Sequence, residues 1–165
     1  MKIIWLVAGV VCFAALFWKG TVQAGDSLIG TWRLVGASSS TDKGDVTKEA
    51  YGPNPTGILT FTADGRMMAI IAMGGRKPLS VPDRVSAPAE ERADAFSTFI
   101  AYAGRYSFDG NKEIVHIDVS SLQNWVGTDQ VRFVSLRGDR VTLSTPPMPR
   151  GGVMQTFKLV WERLK

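Results

Sequence analysis

The single histidine of the chain, His116, stands two residues before Asp118 in the stretch IVHIDVSSLQNWVGTDQVRF, which ends on a strand-like run carrying Arg132. An imidazole beside a carboxylate suits acid–base work, because the carboxylate favours imidazolium and orients the ring. On a strand, His116 and Asp118 share one face with Ile114, while Val115, Ile117 and Val119 share the other. In the next run Arg132 shares its face with Gln130 and Val134. Two readings follow. With the aliphatic face turned inward, His116 and Asp118 are solvated on the outside. With the polar faces of both runs turned inward, His116, Asp118 and Arg132 form one cluster.

Other chemistries have less to work with. No G-x-S-x-G elbow is present, and a serine triad would have to pair His116 with Ser120, which no motif singles out. One histidine and one cysteine, Cys12, fall short of the usual zinc ligand sets. No glycine-rich loop precedes a helix, so nothing cradles a phosphate. The basic residues are scattered, without a run and without aromatic interleaving, which argues against nucleic-acid binding.

The elements that must position these residues begin after a leader. Met1-Lys2 precedes sixteen uncharged residues, then Lys19 and GTVQA. A basic start, an apolar centre and small residues at Val22 and Ala24 are the parts of a signal peptide over residues 1–24. Sixteen helical residues span about 24 Å, short of the ~30 Å hydrocarbon core, so cleavage is read over an uncleaved anchor. The expectation is an exported protein, periplasmic or secreted, with one domain over 25–165 and no stable membrane insertion after cleavage. Without Lys2 and Lys19 the formal charge of +4 falls to +2. The domain would also lack Cys12, so its core must hold it without a disulfide.

Period-two runs dominate that domain. LIGTWRLVGAS is followed by the turn-rich SSSTDKGD. GILTFT and RMMAIIAM flank Asp64-Gly65, a hairpin signal. GRYSF and KEIVHIDVS, then QVRFVSL and RVTLST, then MQTFKLVWERL complete eight strands. Between Pro88 and Ala103 the period changes. Ala93, Phe96, Phe99, Ile100 and Ala103 recur at helical steps, with Glu90 and Glu91 in the first turn and Gly104 at the end, predicting one amphipathic helix. Its apolar stripe needs cover, and a barrel mouth would supply it. Short antiparallel strands at regular spacing indicate an all-β barrel or sandwich.

Gly30-Thr31-Trp32 on the first strand resembles the G-x-W of lipocalins, and YGPNPTGILTFTADGRM, AYAGRYSFDG, NWVGTDQVRF and DRVTLSTPP resemble the bacterial and fungal lipocalin-like domain family. The resemblance spans nearly all of Leu28 to Arg163. It implies an eight-stranded antiparallel up-and-down barrel with a small-molecule cavity, closed at one end by Trp32 with Arg163 of LVWERL over its ring. It also implies a histidine and an acid at the positions of His116 and Asp118, but no catalytic set.

On a barrel, further residues take two readings each. Trp125, in the turn after Asn124, plugs an end or stacks on a ligand. Tyr102, at the end of the helical period, packs or offers its hydroxyl to the cavity. Met67, Met68, Met73 and Met154 read as core filler, though methionine suits a cavity that accepts varied shapes. Trp32 and Trp161 read as structural. The reading is therefore an exported, cofactor-free protein binding a small, largely apolar ligand through His116, Asp118, Arg132, Trp125 and Tyr102. A cavity isomerase, cyclase or hydrolase using His116 and Asp118 is the alternative, and a plugged barrel acting through protein contacts is a third. The sequence leaves the oligomeric state open.

Overall fold

The computed structural model describes residues 27–165, so the leader expected over residues 1–24 lies outside the described residues. Alternation sets the architecture from the first strand. Along β1 (Gly30–Thr41) Trp32 and Leu34 are buried and Arg33 and Val35 exposed. An irregularity between Leu34 and Gly36 then shifts the parity, so that Ala37 and Ser39 face inward. The pattern continues through β2 (Val46–Thr47), β3 (Thr56–Phe61) and β4 (Arg66–Ala72). A helix, α1 (Ala89–Ser97), precedes β5 (Phe99–Phe108) and β6 (Lys112–Ser120). A 3-10 turn at Gln123–Trp125 leads to β7 (Asp129–Arg137), β8 (Arg140–Ser144), β9 (Met148–Arg150) and β10 (Val153–Arg163).

Each long strand pairs antiparallel with the next, and β10 pairs back onto β1, with Trp32 opposite Arg163 and Thr41 opposite Gln155. Eight strands thus form the closed barrel expected from the sequence, while β2 and β9 are short additions on β1 and β10. Closure leaves no free edge among the eight. Gly104 marks a close approach within the wall. A Cβ there would lie 1.9 Å from the His116 carbonyl oxygen, where β5 and β6 shift register. Only glycine permits that contact.

One end of the barrel is closed by the predicted pair. Trp32 is fully buried, its Nε1 donates to the Leu28 carbonyl at 2.9 Å, and the Arg163 guanidinium carbon lies 4.0 Å from its ring centroid. Arg163 in turn donates to the carbonyls of Ser27 and Ile29 at 2.7 and 2.6 Å. Gly30 makes room for this: a Cβ there would meet Arg163 Nη1 at 2.7 Å, and its φ of +132° suits glycine alone. Phe61, Leu59, Ile117, Val141 and Trp161 fill the adjoining core.

The helix differs from its predicted extent. It ends at Ser97 rather than Ala103, and Phe99 to Ala103 belong to β5, paired with β4 from Ala72–Phe99 to Met68–Ala103. The helical spacing of Phe99, Ile100 and Ala103 is coincidental. A β-branched and aromatic run beside an unpaired strand gains a full ladder of backbone bonds by extending. Nor is the stripe of α1 buried: none of its residues is, and Phe96 is exposed on one side. The helix lies at the mouth, where Arg76 Nη1 bonds the Ala95 carbonyl and the Thr98 hydroxyl and so ties the preceding proline-rich loop to its end.

Candidate functional site

Opposite the Trp32 end, the barrel opens into a cavity of about 270 Å³. Its walls come from the strand ends at that mouth: Ile71 of β4, Phe99, Ile100 and Tyr102 of β5, Thr145 just beyond β8, and Phe157 and Leu159 of β10. Tyr51, Trp125 and the helix residues Phe96 and Ser97 form the rim. Aromatic pairs stiffen the lining. Tyr102 meets Trp125 edge-on at 5.5 Å, and Tyr51 tilts against Phe157 at 5.8 Å.

Two cations interrupt this apolar surface. Arg132 is 8% exposed; its Nη1 donates to the Val131 carbonyl at 2.7 Å and its guanidinium lies 6.0 Å from the Trp125 ring centroid. Arg150 sits 5.4 Å from the Tyr51 ring and 5.2 Å from the Phe157 ring, with Nη2 on Met73 Sδ at 3.7 Å. Among the described residues, no carboxylate lines the cavity. Directly across the ladder from Arg132, however, is Glu113 of β6, 1% exposed and with neither oxygen hydrogen-bonded. Burial pushes its carboxyl up to about 7, with the Arg132 charge pulling the other way. Burial likewise raises the Tyr102 and Tyr51 hydroxyls, and the nearby arginines oppose that rise.

The five residues expected to bind ligand are thus divided. Tyr102, Trp125 and Arg132 line the cavity; His116 and Asp118 do not. On β6 the aliphatic face turns inward, burying Val115 and Ile117 and leaving His116 and Asp118 outside. His116 Nδ1 contacts Asp129 Oδ1 at 2.9 Å, and Asp118 pairs with Arg66 at 3.1 Å and Arg105 at 3.7 Å. The cluster of His116, Asp118 and Arg132 is therefore corrected: the first two stand on the outer wall and the third inside it. Acid–base chemistry by His116 and Asp118 on the cavity contents has no geometric footing. Tyr102 itself is a strand residue, not a helix terminus, and its ring packs while its hydroxyl end reaches the neighbourhood of Arg132.

Sequence reasoning passed over Glu113, Arg150 and Tyr51. Glu113 carried a signal, since it shares the parity of Val115 and Ile117 and is an acid on an aliphatic face. Tyr51 and Arg150 come from segments rich in glycine and proline, where no period reveals which side chain turns inward.

A mostly β, closed eight-stranded barrel with a capped end and an open, apolar cavity defines a lipocalin-like protein. The chain belongs to the lipocalin-like domain family, whose sequence pattern matches residues 29–164. It is similar to a protein of Aspergillus oryzae named 4'-hydroxy-3'-methoxypropiophenone carrier protein, at 34% identity over 84 residues, covering 46% of this chain and 76% of the relative. No solved structure gives a significant match.

Proposed function

We propose that this protein is an exported carrier that holds one small, largely apolar molecule in the barrel cavity and releases it unchanged. The observation that carries the reading is the cavity itself: a lining of aromatic and aliphatic side chains with a few inward polar groups, Arg132 and Thr145 among them. That division of labour is how ligand sites combine affinity with orientation. The volume of about 270 Å³ lies just below the ~300–1,000 Å³ common for ligand pockets, which favours a molecule with one or two rings over a long lipid. The name of the Aspergillus relative, a carrier of an aryl ketone, supports the same class. The arrangement of charge and apolar length in residues 1–24 supports export with cleavage after Ala24.

Fluorescence titration with the neutral apolar probe N-phenyl-1-naphthylamine tests the binding site. The wild-type protein should bind one equivalent. Ile100→Trp, which places an indole in the cavity, should remove saturable binding while leaving the circular dichroism of the barrel intact. His116→Ala, on the outer wall, should leave affinity unchanged. Binding that survives Ile100→Trp and fails in His116→Ala would move the site to the outer face and end this reading.

A further inference from the structure

Arg132 is a buried cation turned away from its own register partner. Across the ladder stands Glu113, yet the guanidinium bonds a backbone carbonyl and leans toward Trp125 and the cavity, leaving both Glu113 oxygens without a hydrogen bond. Arg33, Arg66, Arg105, Arg140 and Arg163 each face a carboxylate. Among the described residues, the ion pairs include neither cavity arginine, Arg132 nor Arg150. A guanidinium so nearly buried is costly without an anion beside it. The cavity is the space in which its free N–H groups can receive one, and among the described residues no acid lines that space.

We propose that the cavity takes an organic acid as its anion, seated on Arg132 beside the Tyr102 hydroxyl, and that Glu113 takes up a proton from solvent as the anion binds. This rests on the carrier reading and names the ligand class for the same cavity. Arginine receives a carboxylate or an acidic phenolate through paired, charge-assisted bonds, while the aromatic walls hold the ring. The groups acting on Glu113 are Arg132 from β7 and Tyr102 and Tyr106 from β5. Of these, Arg132 favours its ionised form. An anion on Arg132 offsets that help and adds a repulsive charge, so the protonated carboxyl gains. Because burial brings the Glu113 carboxyl to about 7, binding at pH 7 takes up at most about half a proton. The affinity for an acid accordingly weakens as pH rises through 7.

Calorimetry with 3-phenylpropanoate and its neutral isostere 3-phenylpropanamide, each in phosphate and in Tris at pH 7, reads both halves. The acid should bind about 10- to 100-fold more tightly than the amide, the range of a charge-assisted hydrogen bond. Its apparent enthalpy should differ between buffers by the uptake of a fractional proton. Arg132→Gln should erase the preference for acid over amide. Glu113→Gln should abolish the buffer dependence and flatten the affinity for acid between pH 6 and 8. Should the arginine variant fail to fold, the wild-type ratio and the Glu113→Gln comparison still decide. Equal affinity for acid and amide overturns the inference and leaves the carrier reading standing, provided N-phenyl-1-naphthylamine binds. Tight acid binding without proton uptake overturns the role of Glu113. If neither the naphthylamine nor the acid binds, the carrier reading itself falls.

Discussion

Trp32→Ala should destabilise the barrel by about 3–5 kcal/mol, the range for removing a large aromatic from a packed core. The indole is wholly buried and fills the closed end. It also satisfies the Leu28 carbonyl and carries the Arg163 guanidinium on its face. The cation–π contact contributes about 0.5–2 kcal/mol of its own, so Arg163→Ala should cost less than the tryptophan change. Arg163 additionally holds the segment before β1 through the Ser27 and Ile29 carbonyls. Urea denaturation of both variants checks the order. A loss below about 1 kcal/mol for Trp32→Ala, at the mean of ordinary point changes, would mean that this end is not the keystone of the core.

The second large effect is a dependence of stability on pH set by Glu113. Its carboxyl titrates at about 7 in the folded protein against an ordinary 4.5. Between those values the folded chain holds a proton that the unfolded chain has released. Stability must therefore fall as pH rises from about 4.5 to 7 and level off above. Each tenfold difference in proton affinity between the two states is worth about 1.36 kcal/mol, so the whole fall is about 3 kcal/mol. Glu113→Gln stays neutral throughout. Relative to wild type it should gain about 3 kcal/mol between pH 4 and pH 8.5. Asp83, Asp109 and Glu162 are shifted downward by backbone and side-chain hydrogen bonds. Their contributions fade at acid pH and cancel in the difference between wild type and variant. A difference that does not change with pH would show that the carboxyl is solvated, and one of opposite sign that it is paired.

How far the fold was legible in the sequence follows from how each signal arises. Period-two alternation records one buried and one solvated face, so the barrel strands could be read from their side chains alone. The helix overran into Phe99–Ala103 because a few apolar residues fit either period, and the deciding partner, β4, is distant in sequence. The His116–Asp118 stretch shows the limit more sharply. Parity fixes which residues share a face but not which face turns inward. The aliphatic Val115 and Ile117 decided it, against the pull of three polar groups that resembled a site. Glu113, on the same inward face, was the informative exception to the pattern. Arg150 and Tyr51 reach the cavity from segments without a period, so only the folded chain reveals them.

Native mass spectrometry after incubation with 4'-hydroxy-3'-methoxypropiophenone, the compound in the relative's name, distinguishes a container from a catalyst. One equivalent should bind to the wild-type protein and none to Ile100→Trp, and the released molecule should keep both its mass and its chromatographic retention. A released molecule of changed mass or retention, or an adduct of equal abundance on the cavity-filled variant, would contradict the container reading.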